Sequence, residues 1–360
     1  MDILQLIIIQ QFNKFMKKLK ILSLFDGISG TQVALKNLGI EYDYYASEID
    51  PYAIKVTQAN FPNTIQLGDV KAISYQQSWG NTLYYDGGYF TDIVTEKDSH
   101  CYADVSTIDL LCGGSPCQSF SIAGSQKGFE DPRGQLFWEY VRILNEVKPR
   151  FFIFENVNSM KQRDKDIISK AFGFEPIVIN SALVTAQQRK RLFYVGALQG
   201  DGTYKKVQIE QPQDMGILLK DILESETDLK DYKSESIAFT NKNQNKNGLQ
   251  YVGRVNGRDW AKNGKSLSRN APQGDRIYSV QGKSVCLSAN GGGRGAKCGL
   301  YLTKHNEIRK LTPIECERLQ GFSDGFTSGI SNTRRYQCLG NSFTVPVIEH
   351  ILKTILKINA

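Results

Sequence analysis

The chain has 360 residues, 41% of them hydrophobic, enough to pack one large α/β domain or two unequal ones. Its formal net charge is +7, yet residues 241–310 hold 14 Lys or Arg against 3 Asp or Glu, so that stretch carries +11 and the remainder −4. A local excess of that size points to a polyanionic partner, nucleic acid foremost. The seven cysteines, Cys101, Cys112, Cys117, Cys286, Cys298, Cys316 and Cys338, are odd in number and scattered. That excludes a paired disulfide framework and a regularly spaced zinc cluster, and it fits a reducing, cytoplasmic setting.

The first residues carry apolar Ile3, Leu4, Leu6, Ile7, Ile8 and Ile9 ahead of Lys14, Lys17 and Lys18. A signal peptide has its charges first, and the run is too short to span a bilayer, which takes ~20 apolar residues. Met16 offers an internal start, so residues 1–18 are expected to be an extension outside the fold.

Residues 20–25 (KILSLF) then read as a strand that stops at Asp26-Gly27, with Val33, Ala34, Leu35 and Leu38 at helical spacing behind it. Short apolar runs recur at 43–47, 108–112, 151–154, 176–179 and 192–196, separated mostly by amphipathic stretches. The alternation predicts an α/β fold, a doubly wound, mostly parallel sheet with helices on both faces. From about residue 200 the chain turns rich in Asn, Gly, Lys and Gln, and a second, smaller, loop-rich region is expected. Pattern returns at Leu311-Thr312-Pro313, where a Thr cap and a Pro at the first helical position introduce a helix; a last helical run covers about 345–356.

In an open parallel sheet, ligands bind beyond the carboxyl ends of the strands. Asp26-Gly27-Ile28-Ser29-Gly30 occupies the first such turn, without the G-x-G-x-x-G spacing of dinucleotide binders. Glu48 ends the second strand, where a carboxylate can accept hydrogen bonds from ribose hydroxyls, and Asp69 follows the third. Three such features at successive strand ends point to an adenosine-containing ligand. Gly113-Gly114-Ser115-Pro116-Cys117 follows the 108–112 strand and puts Cys117 on a loop at the same edge, flanked by residues that suit close approach better than packing. Addition of a thiolate to a pyrimidine needs a partner that makes the ring electrophilic, and Glu155, at the end of FFIF, is the candidate. Arg189 and Arg191 alternate in an extended segment, so both can point to one face and bind a phosphate or a base carbonyl.

In these blocks the chain resembles the cytosine-C5 DNA methyltransferase family: LSLFDGISG, SEID, GDV, GGSPCQSFS, RGQLFWE, ENV, QQRKR, LTPIECERLQGFSD and GNSFTVPV, in that order, spanning nearly everything outside the basic region. The resemblance implies a Rossmann-like methyltransferase with S-adenosylmethionine as methyl donor and no metal. Catalytic residues would be Cys117 as nucleophile, Glu155 as partner of cytosine N3, and Arg189 and Arg191 in the base pocket. Cofactor contacts would come from Phe25, Asp26, Gly27, Gly30, Glu48, Ile49, Asp69, Val70, Pro116, Leu136, Asn341 and Ser342. The implied division is a catalytic domain over 19–197 with an insertion at 71–107, a target-recognition domain over 198–308, and a segment over 309–360 that returns to the catalytic domain.

The implied partner is double-stranded DNA, engaged by a monomer; the family leaves room for a companion restriction endonuclease and implies no membrane. The first motif, Phe-Asp-Gly-Ile-Ser-Gly, and GNSFTVPV stand closer to phage enzymes and the animal de novo methyltransferases than to most bacterial members. Two alternatives are an RNA cytosine-C5 methyltransferase, against which the long basic region argues, and a catalytically silent DNA-binding homologue, against which the retention of both Cys117 and Glu155 argues. A zinc-dependent deaminase is excluded, because His305-Asn306-Glu307 lacks a Pro-Cys-x-x-Cys partner: Phe120 stands where the second cysteine belongs.

Overall fold

Leu19–Leu24 forms β1, whose side chains alternate between two cores, Ile21 on one face and Leu22 and Leu24 on the other. A strand buried on both faces belongs in the interior of a parallel sheet covered by helices. The computed structural model describes residues 18–76, 82–85, 103–104, 107–121, 126–224, 237–246, 248–255, 273–289, 295–303 and 307–357. The expected N-terminal extension, apart from Lys18, most of the 71–107 insertion and His305-Asn306 lie outside the described residues.

Helix α1 (Gly30–Asn37) follows β1, and β2 (Tyr42–Ser47), α2 (Pro51–Asn60) and β3 (Ile65–Gln66) come next. Three short strands, β4 (Ile73–Gln76), β5 (Thr82–Tyr85) and β6 (Ala103–Asp104), pair antiparallel as a small separate sheet. The main pattern resumes with β7 (Leu110–Gly113), α3 (Pro132–Val147), β8 (Phe151–Val157), α4 (Gln162–Phe172), β9 (Ile177–Asn180), β10 (Lys190–Leu198) and β11 (Tyr204–Lys206). The main sheet runs β11-β10-β8-β7-β1-β2-β3, with β9 also on β10. Only β10 opposes its neighbours; the pairs from β8 through β7, β1 and β2 to β3 are all parallel. The mostly parallel sheet expected from the sequence is present.

Both helical layers follow from the strand alternation. Phe152 and Phe154 of β8 face α3 and α4, where Phe137, Tyr140 and Phe172 form an aromatic core, the Tyr140 and Phe154 rings 4.9 Å apart and edge to face. Ile153 faces the other way, onto the layer that holds α1 and the C-terminal helices α5 (Pro313–Gln320), α6 (Asn332–Asn341) and α7 (Val345–Ile355). Helix α5 begins as its sequence predicts: Thr312 and Glu315 form a reciprocal capping box around Pro313. Helix α7 buries Val345, Ile348, Ile351, Leu352 and Ile355 and packs on α1, so the chain end closes on its beginning.

The basic stretch is more regular than its composition suggests. Strands β12 (Ile237–Lys246), β13 (Leu249–Val255), β14 (Arg276–Ser279), β15 (Leu300–Leu302) and β16 (Ile308–Arg309) form a second sheet in that order. Among the described residues its private core is Val255, Ile277, Leu300 and Ile308, with Ile237, Val252 and Leu302 packed against it, whereas Tyr278 and Tyr301 join the large core of the main sheet. The second sheet therefore leans on the first for burial.

In the centre of the main sheet Gly113 lies directly opposite Leu24, with φ of 154°. A Cβ there would come within 2.1 Å of the Leu24 carbonyl oxygen. Gly113→Ala is expected to lose roughly 1–3 kcal/mol or more, because the backbone of a central strand must move to admit it. An unchanged denaturation midpoint would contradict this close approach.

Candidate active site

From β1 the chain crosses over to β2 and then β3 on one side, while β7 and β8 lie on the other. At such a switch point, the segments that follow β1 and β7 diverge and leave a crevice. A cleft of about 380 Å³ lies there, running from the β1 turn past Glu48 to Cys117 and Glu155.

The β1 turn is held in an uncommon shape. Phe25, Gly27 and Ser29 all have positive φ (56°, 61° and 58°), and two of them are not glycine. The buried Asp26 carboxylate fastens the turn, accepting hydrogen bonds from Ser29 Oγ and from Tyr44 OH at 2.7 Å. Burial raises the Asp26 pKa, and those hydroxyls oppose the rise. Gly30 opens α1 behind the cleft, next to Ser342 and Phe343 of the C-terminal wall.

Glu48 ties the β1 turn to the segment after β2. One carboxylate oxygen accepts from Gly27 N at 2.7 Å, the other from Ile49 N at 2.8 Å and Asp50 N at 2.9 Å. Oε1, the oxygen with two donors, is thereby filled, and Oε2 retains capacity for one further donor. Burial pushes the Glu48 pKa up against these backbone bonds. Asp69 caps the short turn after it through Lys71 N at 3.0 Å and is exposed to the cleft. Ile49, 60% exposed, lines the cleft together with Val70, Phe25 and Leu136. Pro116, Asn341 and Ser342 complete the wall. Of the twelve cofactor positions expected from the sequence, eleven line this one cleft, Gly30 being the exception.

Cys117 opens a single 3₁₀ turn after Pro116, half-buried at the far end of the same cleft. The loop before it is held by Asn156, whose Nδ2 donates to Ser115 Oγ at 3.3 Å. Gly114 makes room for Glu155: a Cβ there would lie 2.7 Å from the Glu155 backbone oxygen. Arg191 Nε contacts Glu155 Oε1 at 2.9 Å, both side chains mostly buried. Burial raises the Glu155 pKa, and Arg191 and Arg189 oppose it. Burial also pushes the Cys117 thiol up, Glu155 adds to the rise, and the same arginines resist.

Arg189 does something the sequence could not reveal. It is 3% exposed, and its guanidinium donates to the carbonyl oxygens of Ser342 at 2.7 Å, Gly340 at 3.2 Å and Leu287 at 3.4 Å. It is a strut between β10, the cofactor wall and the segment after β14. Sequence reasoning also passed over Asn156, Gln187 and Cys286. Asn156 carried a signal, a polar residue directly after the strand-end carboxylate; Cys286 carried none. Among the described residues, no group of three or more His, Cys, Asp or Glu is placed to hold a metal ion, and no helix is long and apolar enough to cross a membrane.

A doubly wound sheet with a carboxylate-rimmed crevice at its switch point, and a thiol beside a buried carboxylate at the far end of that crevice, is the arrangement of an α/β enzyme whose ligand site lies at the strand ends. The model of the C-5 cytosine-specific DNA methylase family matches residues 19–357, and the chain belongs to that family. It is a DNA (cytosine-5-)-methyltransferase. The type II methyltransferase M.HhaI of Haemophilus parahaemolyticus is 30% identical over 95% of this chain and 96% of its own. The orphan methyltransferase M.Rho11sI of Bacillus phage rho11s is 33% identical over 79% of this chain and 61% of its own. In fold, the chain is similar to Dnmt2 methyltransferase of S. pombe, with a TM-score of 0.58 and 17% identity over 94% of this chain and 99% of that one.

Two thiols near the arginines are expected to label in a set order. Burial raises Cys117 above the ordinary thiol range, whereas at Cys286 burial is outweighed by Arg191 and Arg189, which pull the thiol down. A thiolate is the reactive form, so in the free protein Cys286 should alkylate at lower pH than Cys117. Peptide mapping after iodoacetamide treatment across a pH series checks this; Cys117 labelling first would contradict the electrostatics described.

Proposed function

We propose that the cleft binds S-adenosylmethionine and that Cys117 and Glu155 act on a cytosine flipped out of duplex DNA. The observation that carries this reading is the shared cleft: a carboxylate-rimmed end and the Cys117–Glu155 end are one continuous space. The lining fits the methyl donor. Glu48 keeps acceptor capacity for a ribose hydroxyl, Asp69 has an oxygen available for an amino group, and Ile49, Val70 and Phe25 offer apolar surface to a ring. When bound, S-adenosylmethionine supplies an electrophilic methyl group.

The protein's own residues do the rest. Cys117 Sγ adds to C6 of the base, forming an S–C6 bond and breaking the C5=C6 double bond. Glu155, whose pKa burial raises against the pull of the two arginines, donates a proton to N3 and takes up the charge that develops on the ring. Arg191 keeps that carboxyl aimed through its 2.9 Å contact. Carbon 5, enriched in electrons by the addition, would take the methyl group, the donor leaving as its thioether; loss of the C5 proton to water would then restore the C5=C6 double bond and expel Cys117 as thiolate. Flipping the base costs a few kcal/mol of pairing and stacking, which contacts from the basic region are suited to offset. That region, with its +11 charge between 241 and 310, is the proposed target-recognition element.

Cys117→Ala should abolish methyl transfer to duplex DNA while leaving S-adenosylmethionine affinity nearly unchanged, and duplexes with 5-fluorocytosine should trap the wild-type protein covalently, because fluorine cannot leave as a proton. Appreciable methylation by the variant, or no trapping on any duplex of a random library, would overturn the covalent route. Glu48→Ala and Asp69→Ala should each weaken S-adenosylmethionine binding by about 1–3 kcal/mol, as for loss of a hydrogen bond to a partly buried partner. Calorimetry with unchanged affinity in both would move the cofactor elsewhere.

A further inference from the structure

Cys286 belongs to no recognised block, yet it reaches the catalytic pair from the segment that follows β14. Its Sγ lies 3.5 Å from Arg189 Nη1 and 3.7 Å from Arg191 Nη2. Arg191 is thereby gripped at all three guanidinium nitrogens, by Glu155 Oε1 at Nε, by the Lys190 carbonyl at Nη1 and by this sulfur at Nη2. Arg189 cannot replace the sulfur, since a guanidinium has no acceptor; it donates to the same sulfur and to the carbonyls of Leu287, Gly340 and Ser342. The sulfur is also fixed in space. Ser284 N donates to Ala186 O at 2.6 Å, Gln188 N to Ser284 O at 2.9 Å, and Leu287 N to the buried Gln187 Oε1 at 2.9 Å.

We infer that Cys286 is a positioning residue of the methyl-transfer reaction, whose sulfur accepts from Arg191 and fixes the rotation of that guanidinium so that Nε faces Glu155. A guanidinium turns about its long side chain; Glu155 holds Nε and the Lys190 carbonyl holds Nη1, and the sulfur at Nη2 completes the hold on its plane. The role is indirect, because the sulfur touches Arg191 and not the base. It rests on the proposed part of Glu155 in activating the ring.

The test uses the full-length protein, tritiated S-adenosylmethionine and a random-sequence duplex library. Cys286→Ala should lower the turnover rate at saturating DNA roughly tenfold, the scale of one lost hydrogen bond to a charged group, with cofactor affinity and melting temperature unchanged. Cys286→Ser retains an acceptor and should recover most of that loss. If the alanine variant does not fold, Cys286→Val fills similar volume without an acceptor and should show the same loss. Wild-type turnover in the alanine or valine variant overturns the role, as does a serine variant no better than alanine. Failure of the wild-type protein itself to methylate the library would instead overturn the reading of Cys117 and Glu155, so the two outcomes are separable.

Discussion

Parallel pairing of β1 with β2 on one side and β7 on the other is the constraint from which the site follows. A strand with two parallel neighbours must send its crossover one way only, so the turn after it and the loop after β7 diverge. That divergence is the cleft. Close contact between Leu24 and Gly113 draws the two strand ends together at its base, and the residues just beyond, Phe25 and Asp26 on one strand and Gly114 to Cys117 on the other, become its walls. Because β8 lies next to β7 in parallel, Glu155 arrives at the same edge, beside Gly114.

Electrostatics at the far end of the cleft is a balance of opposed demands. A carboxylate and a thiol are both made reluctant to ionise by burial, and two guanidiniums pull both the other way. Neither arginine is free to drift toward solvent: Arg191 is held by Glu155 and Arg189 by three backbone carbonyls. Fixed donors and dipoles of this kind cost little reorganisation when charge develops on a bound ring, which is the usual origin of a large electrostatic contribution to rate.

Much of this was legible in the sequence, for physical reasons that differ by element. Strands β1, β7 and β8 are near-continuous apolar runs because both faces are buried, and such runs stand out. Helix α5 announces itself through Thr312, Pro313 and Glu315, a local cap that depends on nothing distant. The second sheet did not, since β12 is polar over its latter half and β15 and β16 are two or three residues long, stabilised by pairing and not by periodicity. Arg189 was legible as a basic residue near the site, but its partners Gly340 and Ser342 lie 151 and 153 residues away, and no spacing rule connects them. Cys286 had the weakest signal, a free cysteine in a Lys-Ser-Val-Cys-Leu stretch that gives no hint of two arginines.

The short parallel bridge between Gln187 and Ser284 separates charge from architecture. By composition, Lys283 to Leu287 belongs to the basic stretch. By bonding it belongs to the catalytic sheet: Lys283 Nζ donates to the carbonyls of Ala182 and Thr185, Ser284 pairs beside Gln187, and Leu287 N is held by the Gln187 side chain. The seam between the two parts of the molecule therefore does not follow the chain. It passes before Lys283, so a graft that replaces surface loops ahead of that point leaves the hinge bonds of the pocket in place, whereas one extended through Leu287 carries a piece of the catalytic wall along with it. Diversification of the outer segments and preservation of the chemistry are compatible here because the chain re-enters the pocket before the second sheet is complete.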